Sequence, residues 1–359
     1  MKVALIHDVY IEWGGAERVL LKLLDIFPAA DVYIPLINDR SRTLLEEKYH
    51  KKVTSSLLNH IPFIHSASVL LKPLLFWYWE SLDLKAYDLV ISSSHSFSSK
   101  SVITGANTLH VSYIHTPPRY LYTEFNETRL LQVPWVKVLL TPLLSWLRAK
   151  DYLGGQRPDM LLANSKTVQK RIQKYYRRSS QIVHPPISIP ATMLRRKPSY
   201  FLVVSRLAKQ KGIELAIKAC NQESLPLVIV GKGAEEQYLR SLAGPTISFR
   251  GFVEDNKMSA IYAQAKALIY CSQEEDFGMI PVEAMAHGVP VIGYKSGGVV
   301  ETVLAGKTGL LFGEYTVGAL LQALDQFSRK TFSAATCRKR AQVFSEAVFV
   351  KKIKALTKI

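Results

Sequence analysis

A chain of 359 residues is long for one hydrophobic core, so two domains are expected, and 48% hydrophobic with 21% charged residues excludes a disordered protein. The formal charge of +17 calls for an anionic partner, nucleic acid or an anionic membrane surface, and the absence of helix-turn-helix, RRM and zinc-finger patterns argues against nucleic acid. Cys220, Cys271 and Cys337 are few and scattered, no run reaches the roughly 20 apolar residues of a membrane span, and residues 1–6 enter a strand without a signal-peptide pattern, so a cytoplasmic protein is expected.

Residues 3–6 read as the first strand of a parallel sheet, with His7 and Asp8 at its carboxyl end, where open α/β sheets bind ligands. Gly14 and Gly15 then form a turn into an amphipathic helix ending near Phe27 and Pro28. Such a turn brings backbone N–H groups close to a phosphate, and it serves equally as a tight connection. Residues 48–85 interleave Lys51, Lys52 and Lys72 with Leu71, Phe76, Trp77 and Trp79. That mixture suits a helix at a membrane interface or, alternatively, ordinary helices packed inward.

Residues 87–93 and 109–114 read as buried strands. The second ends in His115-Thr116-Pro117-Pro118-Arg119-Tyr120, whose prolines stop the strand and stiffen the loop. Residues 160–163 form another strand, followed by a helix capped by Asn164 or Ser165, and 182–187 a last short one. Pro185, Pro186, Pro190 and Pro198 mark a linker. Strands at 200–204, 225–230, 247–250, 267–270 and 289–293, separated by helices, predict a second parallel sheet. An apolar-basic helix over 340–359 closes the chain.

The candidate chemistry lies at the carboxyl ends of those second-half strands. Ser205-Arg206-Leu207-Ala208-Lys209-Gln210-Lys211-Gly212 follows the first of them. After residue 270 comes Cys271-Ser272-Gln273-Glu274-Glu275-Asp276-Phe277-Gly278-Met279-Ile280-Pro281-Val282-Glu283, with a helix expected to open at about 280 or 281 because proline suits a first turn. Gly278 lets a ligand approach the backbone, the helix start offers N–H groups to an anion, and the glutamates can accept from sugar and ribose hydroxyls. Taken alone, two glutamates at this spacing are more simply the surface acids of an αβ unit.

The stretch 271–290 resembles the signature of the retaining glycosyltransferase family 4, whose fold is called GT-B. His115-Thr116-Pro117-Pro118-Arg119-Tyr120, together with Tyr87-Asp88-Leu89-Val90-Ile91-Ser92-Ser93-Ser94-His95, is similar to a subset rich in mannosyltransferases. The resemblance implies two Rossmann-like, doubly wound domains facing a cleft: residues 1–190 for the acceptor, 191–339 for the nucleotide-sugar, and a helix at 340–359 crossing back to the first domain. It further implies transfer of a hexose with retention, most simply mannose from GDP-mannose, to a lipid-linked or oligosaccharide acceptor in cell-envelope glycan synthesis. A UDP-sugar donor and a non-catalytic membrane-surface scaffold are the alternatives.

By resemblance, Arg206 and Lys211 grip the donor diphosphate, where positive charge stabilises the departing phosphate most in the transition state. Glu275 holds the transferred sugar, Glu283 the ribose, and Phe277, Gly278 and Met279 present backbone N–H groups. His115 contacts the sugar and orients the acceptor; Gly14, Gly15 and Arg119 line the substrate side. With no Asp-x-Asp motif at a strand end, neither metal nor cofactor is expected. The family has Tyr before Pro185-Pro186 and Asp after them, where this chain has His184 and Ser188. The family's membrane-linked acceptors favour a peripheral site on the cytoplasmic face of the membrane.

Overall fold

The computed structural model describes residues 1–61, 72–96, 98–122, 133–194, 196–273 and 275–358; Glu274 and part of the basic-apolar stretch expected at 48–85 lie outside them. The chain divides into two compact units, Met1–Pro185 with Val350–Ile359, and Pro186–Phe349.

The first unit is built on β1 (Val3–His7), β2 (Asp31–Tyr33), β3 (Val53–Thr54), β4 (Leu89–Ser94), β5 (Leu109–Ile114), β6 (Met160–Ala163) and β7 (Gln181–Ile182). They pair in parallel in the order β3-β2-β1-β4-β5-β6-β7. Its helices are α1 (Gly15–Ile26), α2 (Asp39–Tyr49), α3 (Lys72–Ser81), α4 (Arg119–Tyr122), α5 (Pro134–Gln156) and α6 (Lys166–Tyr176). Asn38 and Ser165 cap α2 and α6 by accepting from the N–H groups of Ser41 and Val168. Every residue of β1 and β4 is buried, as befits a parallel strand covered on both faces.

The second unit carries β8 (Tyr200–Val204), β9 (Leu227–Val230), β10 (Ile247–Gly251), β11 (Ala265–Tyr270), β12 (Val291–Tyr294) and β13 (Gly309–Phe312), parallel in the order β10-β9-β8-β11-β12-β13. Its helices are α7 (Ile213–Gln222), α8 (Glu236–Leu242), α9 (Asp255–Tyr262), α10 (Met279–Ala286), α11 (Val299–Thr302), α12 (Val317–Ser328) and α13 (Ala334–Gln342); α14 (Glu346–Thr357) follows. Alternation along the strands builds two cores. Leu202 and Leu268 point to one face with Val282 and Met285, while Val203 and Ile269 point to the other with Ile217 and Leu320.

Both sheets are therefore of the doubly wound, Rossmann-like kind. In each, the strand order turns around beside the first strand, between β1 and β4 and between β8 and β11. Connections leave in opposite directions there and open a crevice at the strands' carboxyl ends.

Two expectations are corrected, and a third, left open between two readings, is narrowed. The strand at 182–187 shortens to Gln181–Ile182, since Pro185 and Pro186 cannot donate to a ladder. The terminal helix is two helices. Around residue 345 the chain leaves the helical path to meet Ile187, whose N–H donates to Phe344 O (3.0 Å) while Glu346 N–H donates to Ile187 O (3.1 Å). In α3, Trp79 and Leu75 are fully buried against Ala4, Ile6 and Val90, which favours the inward-packed reading for this face, while Leu74 and Trp77 turn to solvent.

A further exposed apolar face lies on α5. Trp135, Val138, Leu139, Leu143 and Trp146 follow helical spacing and are between 37% and 73% exposed. The opposite side is anchored. Leu144 and Leu147 are buried, and Asp151, also buried, pairs with Lys100 and accepts from Ser98 Oγ (2.8 Å) and the hydroxyls of Tyr122 and Tyr176 (both 3.0 Å). Among the described residues, no helix is long and apolar enough to cross a membrane.

Candidate functional site

In the second unit the loops after β8, β9, β11 and β12 are tied together by backbone contacts that only glycine permits. Gly231, at φ +136°, lies where a Cβ would come within 1.8 Å of Ser205 O. Gly297, at φ +59°, would bring one within 2.1 Å of Glu275 O, and Gly298 donates its N–H to that same oxygen (2.8 Å). Gln273 N–H donates to Gln210 O (3.3 Å), joining the β11 loop to the β8 loop.

On this frame Lys211, closing a 3-10 turn (Lys209–Lys211), reaches Glu275: Nζ to Oε2 is 2.6 Å, with each side chain 21% exposed. Ser272 Oγ donates to the same carboxylate oxygen (2.8 Å), and Tyr270, buried on β11, adds its hydroxyl. Burial pushes the Glu275 carboxyl up. The Lys211 charge, with hydrogen bonds from Lys211, Tyr270 and Ser272, outweighs it and brings the carboxyl down to about 2. Glu275 is thus a fixed anion at neutral pH. A lysine ammonium has three hydrogens and spends one here, so two remain for an anionic ligand.

Helix α10 opens at Met279, slightly earlier than expected, with Gly278 as its N-cap at φ +77°. Gly278 supplies no side-chain acceptor for the first-turn N–H groups. Phe277 is buried and packs edge-on against Phe344 (5.4 Å), so its side chain serves the core and only its backbone is available to a ligand. Glu283 stands half-buried within α10, and Arg206 is exposed just past β8.

The remaining expected residues lie in the first unit, around its own crevice. Gly14 caps α1 in extended backbone, Gly15 begins the helix, and Arg119 begins the four-residue α4. His115 follows β5 and is buried; its Nε2 lies 2.8 Å from Ser93 Oγ, and Asn164 Nδ2 donates to its carbonyl (2.8 Å). Burial, with His95 and His7 nearby, holds the His115 ring well below the usual histidine range, keeping it neutral. His7 Nδ1 lies 3.0 Å from Ser93 Oγ, and His7 Nε2 faces Glu17 Oε1 at 3.6 Å. Burial raises the Glu17 carboxyl, but His7 and then His95 outweigh it and hold it below the ordinary value. Asp8 accepts from the N–H groups of His95 and Ser99 (both 2.7 Å).

The structure therefore joins Lys211 to Glu275 and leaves the other expected residues at the rims of two crevices. Tyr270, Ser272, Glu17 and Ser93 were not among the expected site residues. Their signal was positional, since each stands at or just past a strand's carboxyl end or in the first turn of the helix after β1.

Residues 186–344 match the profile of the family described as "Glycosyl transferases group 1". The UDP-N-acetylglucosamine–peptide N-acetylglucosaminyltransferase GtfA subunit of Streptococcus pneumoniae serotype 4 is 27% identical over 237 residues, covering 60% of this chain and 44% of that relative. A GDP-mannose-dependent alpha-mannosyltransferase of Corynebacterium glutamicum is 34% identical over 108 residues, 30% of this chain and 26% of its own length. The chain thus covers less than half the length of either relative. Among solved structures, Anabaena Alr3699/HepE in complex with UDP superposes over 100% of both chains with a TM-score of 0.71 at 20% identity, a likeness of fold.

Proposed function

From the match of residues 186–344 to the group 1 glycosyltransferase profile, we propose that the protein transfers a hexose from a nucleotide-sugar, with retention of configuration, to a lipid-linked or oligosaccharide acceptor in cell-envelope glycan synthesis. GDP-mannose is the donor we favour, because the His115–Tyr120 motif resembles that of mannosyltransferases and a GDP-mannose-dependent relative matches at 34% identity. A UDP-sugar is the second reading, supported by a structural neighbour solved with UDP.

The observation that carries the proposal is the ionised Glu275 pinned by Lys211, Tyr270 and Ser272 beside the glycine-capped start of α10. A carboxylate so held accepts from sugar hydroxyls and favours positive charge developing at the anomeric carbon. Lys211, with hydrogens left over, and Arg206 neutralise the departing diphosphate in place of a metal. The N–H groups at Gly278 and Met279 face its oxygens, and Glu283 accepts from ribose. In the first unit His115 orients the acceptor, with Gly14, Gly15 and Arg119 on the same substrate side. The departing phosphate takes the acceptor's proton on the same face.

The +17 charge and the outward apolar face of α5 support work at an anionic membrane surface, reached from the cytoplasmic side. A thermal-shift panel of GDP, UDP, ADP and their sugars tests the donor. A ligand at a hundred times its Kd adds about 2.7 kcal/mol to stability. Selective stabilisation by GDP and GDP-mannose is expected, selective response to UDP moves the donor to the second reading, and no response to any nucleotide refutes the transferase reading.

A further inference from the structure

In the first unit four side chains from neighbouring elements stand in line: Glu17 on α1, His7 on β1, Ser93 on β4 and His115 after β5. The contacts are 3.6 Å from Glu17 Oε1 to His7 Nε2, 3.0 Å from His7 Nδ1 to Ser93 Oγ, and 2.8 Å from Ser93 Oγ to His115 Nε2. We propose that Glu17 and His7, acting through Ser93, are positioning residues that fix the tautomer of His115, leaving its Nδ1 as an acceptor for a substrate hydroxyl. The tautomer follows from the contacts alone; only its use on a substrate rests on the function proposed above.

The argument is a count of hydrogens. Ser93 has one hydroxyl hydrogen and touches two ring nitrogens, so it donates to one and must accept from the other. His7 Nε2 is buried and has no hydrogen-bond partner; what it faces is the Glu17 carboxylate, which can only accept. The His7 hydrogen is therefore drawn to Nε2, leaving Nδ1 bare. Bare Nδ1 accepts from Ser93, so Ser93 Oγ accepts from His115 Nε2–H. In a neutral imidazole this leaves Nδ1 of His115 without a hydrogen.

Long-range 1H–15N correlation spectra of the histidine rings in the full chain test this, with His115→Gln used for assignment. The wild type is expected to show His115 protonated at Nε2 at neutral pH. Ser93→Ala and Glu17→Leu are expected to mix the two tautomers, while Ser93→Thr and Glu17→Asp, which keep a hydroxyl and a carboxylate that only accepts, restore the wild-type pattern. In donor hydrolysis the first pair should lose about tenfold in kcat, the rate equivalent of one neutral hydrogen bond, and the second pair should recover it. A His115 hydrogen on Nδ1 in the wild type at neutral pH, or a tautomer unmoved in both disrupted variants, overturns the proposal. So does stoichiometric zinc that is lost on Glu17→Gln, since His7, Glu17 and His95 offer ligand atoms within 4.8 Å of one another. The expected spectra in a chain that binds no nucleoside diphosphate would overturn the reading of function and keep this one.

Discussion

Replacing Lys211 by methionine deletes the cation beside Glu275 and keeps most of the side chain's bulk. Exposed ion pairs contribute about 0–1 kcal/mol, whereas stripping one partner from a buried pair costs about 3–5 kcal/mol. With both side chains one-fifth exposed and Ser272 and Tyr270 still bonded to the carboxylate, the expected loss falls between these, at about 2 kcal/mol. Adding Glu275→Gln removes the stranded charge, so the double variant should be more stable than Lys211→Met alone, with a coupling energy of about 1–3 kcal/mol.

The pH dependence has a definite sign. The carboxyl of Glu275 is lowered to about 2 in the folded chain, so its contribution is complete above the ordinary carboxylate range and is lost as pH falls toward 2. In Lys211→Met, burial is less opposed and the acid limb should begin at a higher pH. All five tryptophans, Trp13, Trp77, Trp79, Trp135 and Trp146, lie in the first unit. Calorimetry compared with tryptophan fluorescence therefore separates the second unit's unfolding from the first's. Turnover should stay at least about a hundredfold down in the double variant, because the charge at the leaving group is still missing. Additivity within about 0.5 kcal/mol, an unmoved acid limb, or recovered turnover would each refute the reasoning.

Three further outcomes are expected. Gly297→Ala, placed at φ +59° with its Cβ against Glu275 O, should cost at least about 1–3 kcal/mol in urea unfolding and distort the Glu275 loop, whereas Gly313→Ala, with open space around it, should not. Glu283→Gln should weaken both the donor and the free nucleoside diphosphate in calorimetry, while Glu275→Gln should spare the nucleoside diphosphate and lower turnover; equal losses would end the division of roles. Trp135→Ser with Leu139→Ser on the exposed face of α5 should reduce co-sedimentation with anionic vesicles, and rising salt should release the wild type; equal binding to neutral vesicles would remove the electrostatic part of the claim.

What the sequence alone determined was local. The continuous apolar run at residues 200–204 became β8 without adjustment, because a parallel strand buried on both faces favours apolar residues at every position. The turns at Gly14-Gly15, Gly231 and Gly297-Gly298 were legible for a similar reason, since few other residues fit where backbones close on each other. Strands β2 and β3, three and two residues long, carried too little pattern to be seen and exist because β1 offers an edge to β2 and β2 offers one to β3. The partner of Glu275 was likewise out of reach. Lys211 is 64 residues away, and the two meet because β8 and β11 are neighbours at the point where the strand order turns around. Periodicity marked the apolar side of a helix without saying what it faces. Trp79 proved to be core and Trp135 surface, because burial depends on where the sheet lies relative to each helix, which the tertiary structure alone decides.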